Sequence, residues 1–175
     1  ATEIMRLLEA SSGKAVKIRL CDTMGYGLPY AEAALPRSIP KMLHALRHEC
    51  GVPSEWLEWH GHNDFHKVLV NATTAWLYGC AAANCALLGF GERTGNPPLE
   101  GAVIEYISLK HDLCGIRTEV ITELADYMRS IDFPIPVNYP FVGKQFNTTS
   151  AGIHAGGLRQ DERIYNIFDT AKLLN

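Results

Sequence analysis

Residues 56–62 read Trp56-Leu57-Glu58-Trp59-His60-Gly61-His62, which is a candidate strand. We interpret it as the middle strand of three, with Ala15 to Leu20 as the strand before it and Cys85 to Phe90 as the strand after it. The strand centres lie roughly 30 to 40 residues apart, which is the spacing of successive βα units. The pattern therefore predicts an α/β fold with a parallel sheet.

Helical patterns separate the three strands. Helices are predicted over residues 3–10, 30–50, 67–80 and 99–109, with a break expected in the second at Pro36 or Pro40. Three strands cannot close a barrel, and an open three-stranded sheet would leave its edges exposed. We therefore expect the chain to be part of a larger α/β protein, with the other strands preceding Ala1.

The pattern changes near Arg117. A helix is predicted from Glu119 to Ile131, and a segment punctuated by prolines follows it and is typical of a linker. A glycine-rich stretch at residues 152–157 precedes a predicted helix from Glu162 to Leu174. We expect two regions, residues 1–116 with the strands and residues 117–175 with the linker and a mainly helical extension.

Composition excludes several classes of function. The chain has 175 residues, with 16 basic and 19 acidic side chains, and therefore a formal net charge of −3. Basic residues are not clustered, which argues against a nucleic acid or a membrane surface as partner. The apolar run from Cys80 to Phe90 is too short to span a membrane, and no signal peptide is visible. Five cysteines at no metal-binding spacing indicate buried thiols in the cytoplasm.

Each predicted strand ends in polar residues, and the carboxyl ends of parallel strands meet at one edge of the sheet. His60 and His62 are two residues apart on a strand, so their imidazoles point to the same side and can converge on one cation. The alternative is a histidine that only forms a hydrogen bond in a polar turn. Asn63 and Asp64, directly after the pair, favour the metal site.

Other polar residues have both a functional and an ordinary interpretation. Glu92 could ligate metal or relay protons, or it could form a salt bridge with Arg93. Thr23 could bind a carboxylate or be a turn residue. His154 could be a general base or a surface histidine.

Four motifs together resemble a known family in order and spacing. They are Cys21-Asp22-Thr23-Met24-Gly25-Tyr26, His60-Gly61-His62-Asn63-Asp64, Gly91-Glu92-Arg93-Thr94-Gly95-Asn96 and Gly152-Ile153-His154. The family is that of the 2-isopropylmalate and homocitrate synthases. The amino-acid sequences of the second and third motifs are most similar to those of the Re-type citrate synthase branch of this family.

The resemblance implies strands six to eight of a TIM (β/α)₈ barrel, followed by the start of a C-terminal extension. It implies an acyltransferase that condenses acetyl-CoA with a 2-oxo acid, a divalent metal (Mg, Mn or Zn) that polarises the 2-oxo acid, and a homodimer that exchanges its C-terminal regions. The implied roles by residue are metal ligation by His60, His62 and Asn96, substrate binding by Thr23, and catalysis by Glu92, His154 and Tyr165.

One departure and several alternatives stay open. The Asp-Arg-Glu motif that the family carries on its first strand is absent from these 175 residues, which puts activity of the chain alone in doubt. An acyl-CoA lyase of the same superfamily, a metal-dependent hydrolase and an inactive truncated fragment are the alternatives. The sequence does not select the 2-oxo acid. His66 and Lys67 either indicate an anionic one, such as oxaloacetate or 2-oxoglutarate, or begin a solvated helix face.

Overall fold

The computed structural model describes residues 3, 4, 6, 7, 16–165, 173 and 174. They belong to two compact units, Ala1–Leu109 and Lys110–Asn175. Residues 3, 4, 6 and 7 are helical, and most of the predicted helix from Glu162 to Leu174 falls outside the described residues. Among the described residues, no helix is long and apolar enough to cross a membrane.

The first unit contains a parallel three-stranded sheet in the order β1-β2-β3. The strands are β1 (Ile18–Asp22), β2 (Leu57–Gly61) and β3 (Ala82–Ala83). Strands β1 and β2 pair in register from Ile18 opposite Leu57 to Asp22 opposite Gly61. The predicted α/β class with a parallel sheet is therefore confirmed.

The predicted third strand is wrong. Residues 85–90 do not form a strand, and the chain pairs with β2 earlier, at Ala82 and Ala83. The apolar run turns into a short 3₁₀ helix, Leu87–Gly89, in which Leu88 has a left-handed backbone with φ of 51°. The backbone N–H of Leu88 donates to the buried carboxylate of Glu100 at 3.0 Å, which holds this turn in place. An apolar run of this length has no periodicity that separates a strand from a turn or a short helical segment.

Three helices of the first unit follow the strands: α1 (Ile39–His44), α2 (Val68–Leu77) and α3 (Leu99–Lys110). The region predicted as a helix over residues 30–50 is helical only from Ile39, and it continues as a π-helix, Ala45–Glu49. Ser38 caps α1 with its side chain, and Pro40 lies in the first turn, where a missing N–H costs no helical hydrogen bond.

The core of the first unit lies between the sheet and the first two helices. Trp59 and Leu57 of β2 pack against Ile39 and Leu43 of α1 and against small residues of α2. Trp59 is only 1% exposed, and burying a side chain of this size contributes about 2–3 kcal/mol. This packing fixes the position of β2. His60 lies near the carboxyl end of the strand, and His62 follows it directly.

The second unit is helical. It contains α4 (Val120–Ser130), α5 (Gly152–Gln160) and a 3₁₀ turn, Glu162–Ile164. The predicted helix from Glu119 to Ile131 matches α4, whereas α5 was expected only as a glycine-rich stretch. Residues 131–151, which include the prolines of the predicted linker, form turns and irregular backbone. The domain boundary predicted between residues 116 and 117 stays a prediction.

Candidate functional site

The loop after β1 closes tightly at the carboxyl edge of the sheet. The carboxylate of Asp22 accepts hydrogen bonds from the backbone N–H groups of Tyr26 at 2.8 Å and Gly27 at 2.9 Å. Gly25 has a left-handed backbone with φ of 64°, and a Cβ at this position would collide with the carbonyl oxygen of His62. The loop after β1 therefore lies directly against the end of β2.

His60 and His62 are brought together as predicted. Their ring centroids are 4.9 Å apart, and the ring planes are nearly perpendicular, at 87°. Nδ1 of His60 lies 2.9 Å from the amide oxygen of Asn84, and Nδ1 of His62 lies 3.4 Å from the carbonyl oxygen of Asp22. With the proton on Nδ1, each ring donates to its oxygen partner and presents the lone pair of Nε2. Metal-binding histidines are held in this way by their second nitrogen.

Asn96 has a polar atom that lacks a protein partner. Its side-chain N–H donates to the carbonyl oxygen of Phe90 at 3.0 Å. Its amide oxygen is buried and accepts no hydrogen bond within the described residues. The carbonyl oxygen of Gly95, one residue earlier, accepts from the N–H of Asn63 at 3.0 Å, which ties this loop to the residue after His62.

Two imidazoles and an unpaired amide oxygen are donor types that suit a divalent cation. A buried amide oxygen without a hydrogen bond costs about 1–3 kcal/mol, and coordination to a cation would satisfy it. Within the described part of the chain, no group of three or more His, Cys, Asp or Glu side chains is placed to hold a metal ion. The role of the Asn96 amide as an oxygen ligand beside the two imidazoles stays a prediction.

Arg93 joins the three loops at this edge of the sheet. Its Nε lies 2.9 Å and its Nη2 3.2 Å from the two carboxylate oxygens of Asp64, and Nη2 also donates to the carbonyl oxygen of Thr23. The hydrogen bond from Arg93 holds the pKa of the Asp64 carboxyl below its usual value. The expected salt bridge with Glu92 is present but longer, at 3.6 Å.

Thr23 and Glu92 lie on the same loops. Thr23 is exposed, and Arg93 holds its backbone at the carbonyl oxygen. The Glu92 side chain is 83% exposed. The roles of both residues stay predictions.

His154 and Tyr165 meet in the second unit. Their ring centroids are 4.6 Å apart, and Nδ1 of His154 lies 3.2 Å from the hydroxyl of Thr149. Both rings are exposed. The geometry thus pairs the two residues that the resemblance assigned to catalysis in the tail.

Sequence reasoning missed Asn84, which orients His60, and it missed Asp64 as the partner of Arg93. It also took all five cysteines as buried packing residues, and this is wrong for three of them. All five are free, and Cys21, Cys50 and Cys114 are exposed. Burial raises the pKa of the Cys80 thiol to about 12 and that of the half-buried Cys85 thiol to about 11.

Comparisons with known proteins give a family match and several relatives. The sequence model of the family described as HMGL-like matches residues 1–128. The chain is 60% identical to the Citrate (Re)-synthase of Syntrophus aciditrophicus, over 99% of the chain and 28% of that protein. It is 31% identical to the 2-isopropylmalate synthase of Acetivibrio thermocellus, over 89% of the chain and 30% of that protein. The chain thus spans about a third of the length of these curated relatives.

A solved structure shares the fold. The HMG-CoA lyase of Bacillus subtilis superimposes with a TM-score of 0.54 at 23% sequence identity. The match covers 78% of this chain and 45% of the lyase chain. At this level of identity the likeness shows the fold alone.

Proposed function

Because the chain belongs to the HMGL-like family, we propose that it forms the metal-binding part of an acyltransferase that condenses acetyl-CoA with a 2-oxo acid. The observation that carries the proposal is the pair of imidazoles at the end of β2, each held by its Nδ1. The site would lie at the carboxyl edge of strands six to eight of a TIM barrel, and residues 117–175 would begin the C-terminal extension.

His60, His62 and Asn96 would hold the divalent cation, which is Mg, Mn or Zn. A bound cation would act as a Lewis acid toward the keto group of the 2-oxo acid. The fixed Nδ1 atoms and the unpaired amide oxygen of Asn96 support this set of ligands.

The remaining residues would bind substrate and move protons. The hydroxyl of Thr23 would bind the carboxylate of the 2-oxo acid, and Glu92 would assist the proton transfers at the same edge. His154, with Tyr165 beside it, would take a proton from the methyl group of acetyl-CoA. The methyl carbon then bonds to the keto carbon, the keto oxygen takes a proton to become a hydroxyl, and water hydrolyses the thioester to release CoA.

Oxaloacetate is the 2-oxo acid that we propose. Its condensation with acetyl-CoA gives citrate, the product in the name of the relative that is 60% identical. Lys67 and His66 lie in the loop after the histidine pair, where Lys67 would add positive charge and His66 a ring N–H donor near a second carboxylate.

The test is a screen of 2-oxo acids with the intact protein, acetyl-CoA and Mg²⁺ or Mn²⁺, following free thiol and product. We expect oxaloacetate-dependent release of CoA that is lost with a chelator and restored by metal. Cleavage of a 3-hydroxyacyl-CoA without condensation would instead identify a lyase. Metal binding without either reaction would indicate an inactive protein.

A homodimer that exchanges its C-terminal regions is part of the proposal, with the cytoplasm as the compartment. The test mixes subunits carrying His154→Ala with subunits carrying His62→Ala. If each metal site uses His154 from the other subunit, a mixed dimer has one site with both groups intact and recovers activity. Mixed dimers that form and stay inactive would exclude the exchange.

A further inference from the structure

Arg93 contacts all three loops that carry the proposed site, and this arrangement has no role in the chemistry described so far. Its guanidinium forms a two-point ion pair with Asp64, two residues after His62. The same Nη2 donates to the carbonyl oxygen of Thr23 in the loop after β1. Arg93 itself lies three residues before Asn96.

We propose that Arg93 is a positioning residue, which sets the distance between the loop of Thr23 and the loops of the proposed metal ligands. This inference rests on the proposed function, because it assigns Thr23 to the carboxylate of the 2-oxo acid. Arg93 touches no reacting atom in this role and acts through the backbone of Thr23.

The hydrogen-bond partners of the loops explain why loss of Arg93 should weaken substrate binding rather than metal binding. The loop of Asn96 has one other tie to the loop after β2, because the N–H of Asn63 donates to the carbonyl oxygen of Gly95, and the Asn96 side chain donates to Phe90 within its own loop. His62 is held by β2 and by the carbonyl oxygen of Asp22. Arg93 is the cross-link that ties the carbonyl of Thr23 to Asp64, since its planar fork reaches both oxygens and the carbonyl at once.

The ion pair is partly shielded from solvent at the carboxyl edge of the sheet. The Asp64 side chain is 16% exposed and that of Arg93 is 35% exposed. Arg93 has a left-handed backbone with φ of 52°, a conformation that non-glycine residues seldom adopt.

The chain offers a matched control. Arg19 and Glu58 face each other across β1 and β2 and form an ion pair at 2.9 Å. This pair links β1 and β2, the two strands that precede Thr23 and Asp64. It lies within the sheet, away from the loops that carry the proposed site. Arg19→Gln removes an arginine–carboxylate pair without touching the proposed site.

The experiment compares Arg93→Gln, Arg93→Lys and Arg19→Gln in the intact protein. We expect both Arg93 variants to raise the KM for oxaloacetate about tenfold or more, because lysine keeps the charge but cannot bridge the three oxygens. The KM for acetyl-CoA and the Kd for Mn²⁺, measured by electron paramagnetic resonance, should stay within about threefold. Arg19→Gln should leave all three constants unchanged.

Three results would overturn the inference: an unchanged KM for oxaloacetate in folded Arg93→Gln, an equal rise in Arg19→Gln, or a full rescue by lysine. Titration of fresh oxaloacetate into the Mg²⁺-loaded protein without acetyl-CoA keeps the test independent of condensation. If wild type binds oxaloacetate and releases no CoA, the proposed function fails. In that case the inference is still tested by whether Arg93→Gln raises the Kd for oxaloacetate.

Discussion

The carboxyl edge of the sheet and helix α5 both carry histidines assigned to chemistry, and the two regions hold them differently. His60 and His62 are fixed by hydrogen-bond partners 24 and 40 residues away in the sequence, at the ends of the neighbouring strands. The contacts of His154, with Thr149 and Tyr165, come from its own segment. The edge of the sheet is therefore built by the fold, whereas the histidine of α5 depends on local structure. We therefore expect substitution of the histidines at the edge to abolish metal binding. Substitution of the histidine in α5 should lower the rate of catalysis and leave metal binding intact.

The largest effect should follow from removing one of the paired imidazoles. His62→Ala should lower metal content to near zero and kcat by about 10³-fold or more, the equivalent of losing ~4 kcal/mol of Lewis-acid stabilisation. Metal analysis of the purified protein and steady-state kinetics measure both. His48→Ala, at an exposed histidine of the first unit, should change neither quantity. Normal metal content in His62→Ala would remove the histidine from the ligand set.

The next effect separates the two regions directly. His154→Ala should lower kcat by about 10²-fold or more while metal content stays at the wild-type level, because proton transfer is lost and the edge of the sheet is intact. Tyr165→Phe keeps the ring beside His154 and should have a smaller effect on kcat. A loss of metal in His154→Ala would contradict the distinction between the regions.

Thiol labelling should sharpen the same comparison without reference to activity. The raised pKa of Cys80, about 12, keeps the thiol protonated at pH 8, whereas Cys114 of the second unit is exposed. Iodoacetamide should modify Cys80 at least about 10²-fold more slowly than Cys114, because the thiolate is the reactive form. Mass spectrometry of digested protein measures both rates, and unfolding in urea should make them similar. Equal rates in the folded protein would show that Cys80 is not buried in the core of the first unit.

Local sequence patterns predicted the parallel sheet, the pairing of His60 with His62 and the loop of Asn96. The HMGL-like match agrees with the family that the four motifs resemble. The features that were missed depend on distant partners. Asp64 and Arg93 are 29 residues apart, and a lone amide such as Asn84 has no pattern that marks it. Glycines disfavour helices, which hid α5.

The misplaced third strand has a different cause. Residues 85–90 are apolar, and apolar residues alone predicted a buried strand. The carboxylate of Glu100, twelve residues further along, instead captures the N–H of Leu88 in a turn. None of residues 85–90 is fully buried, and Leu87 and Phe90 are exposed, so the apolar run predicted neither the backbone conformation nor the burial of this segment.

The smallest effect should come from two glycines, one in each region. Gly25→Ala places a Cβ against the carbonyl oxygen of His62 at a left-handed φ, and should cost about 1–3 kcal/mol in the free energy of unfolding. Gly156 lies inside α5 with nothing within 4 Å of an added Cβ, so Gly156→Ala should stabilise that helix by about 0.5–1 kcal/mol. Urea unfolding of the two variants beside wild type measures both signs. Because the added methyl group is the same in both variants, opposite changes in the free energy of unfolding would come from the backbone conformation and the surroundings of each glycine. Destabilisation by Gly156→Ala would show that α5 is packed as closely as the edge of the sheet, and the contrast between the two regions would then fail.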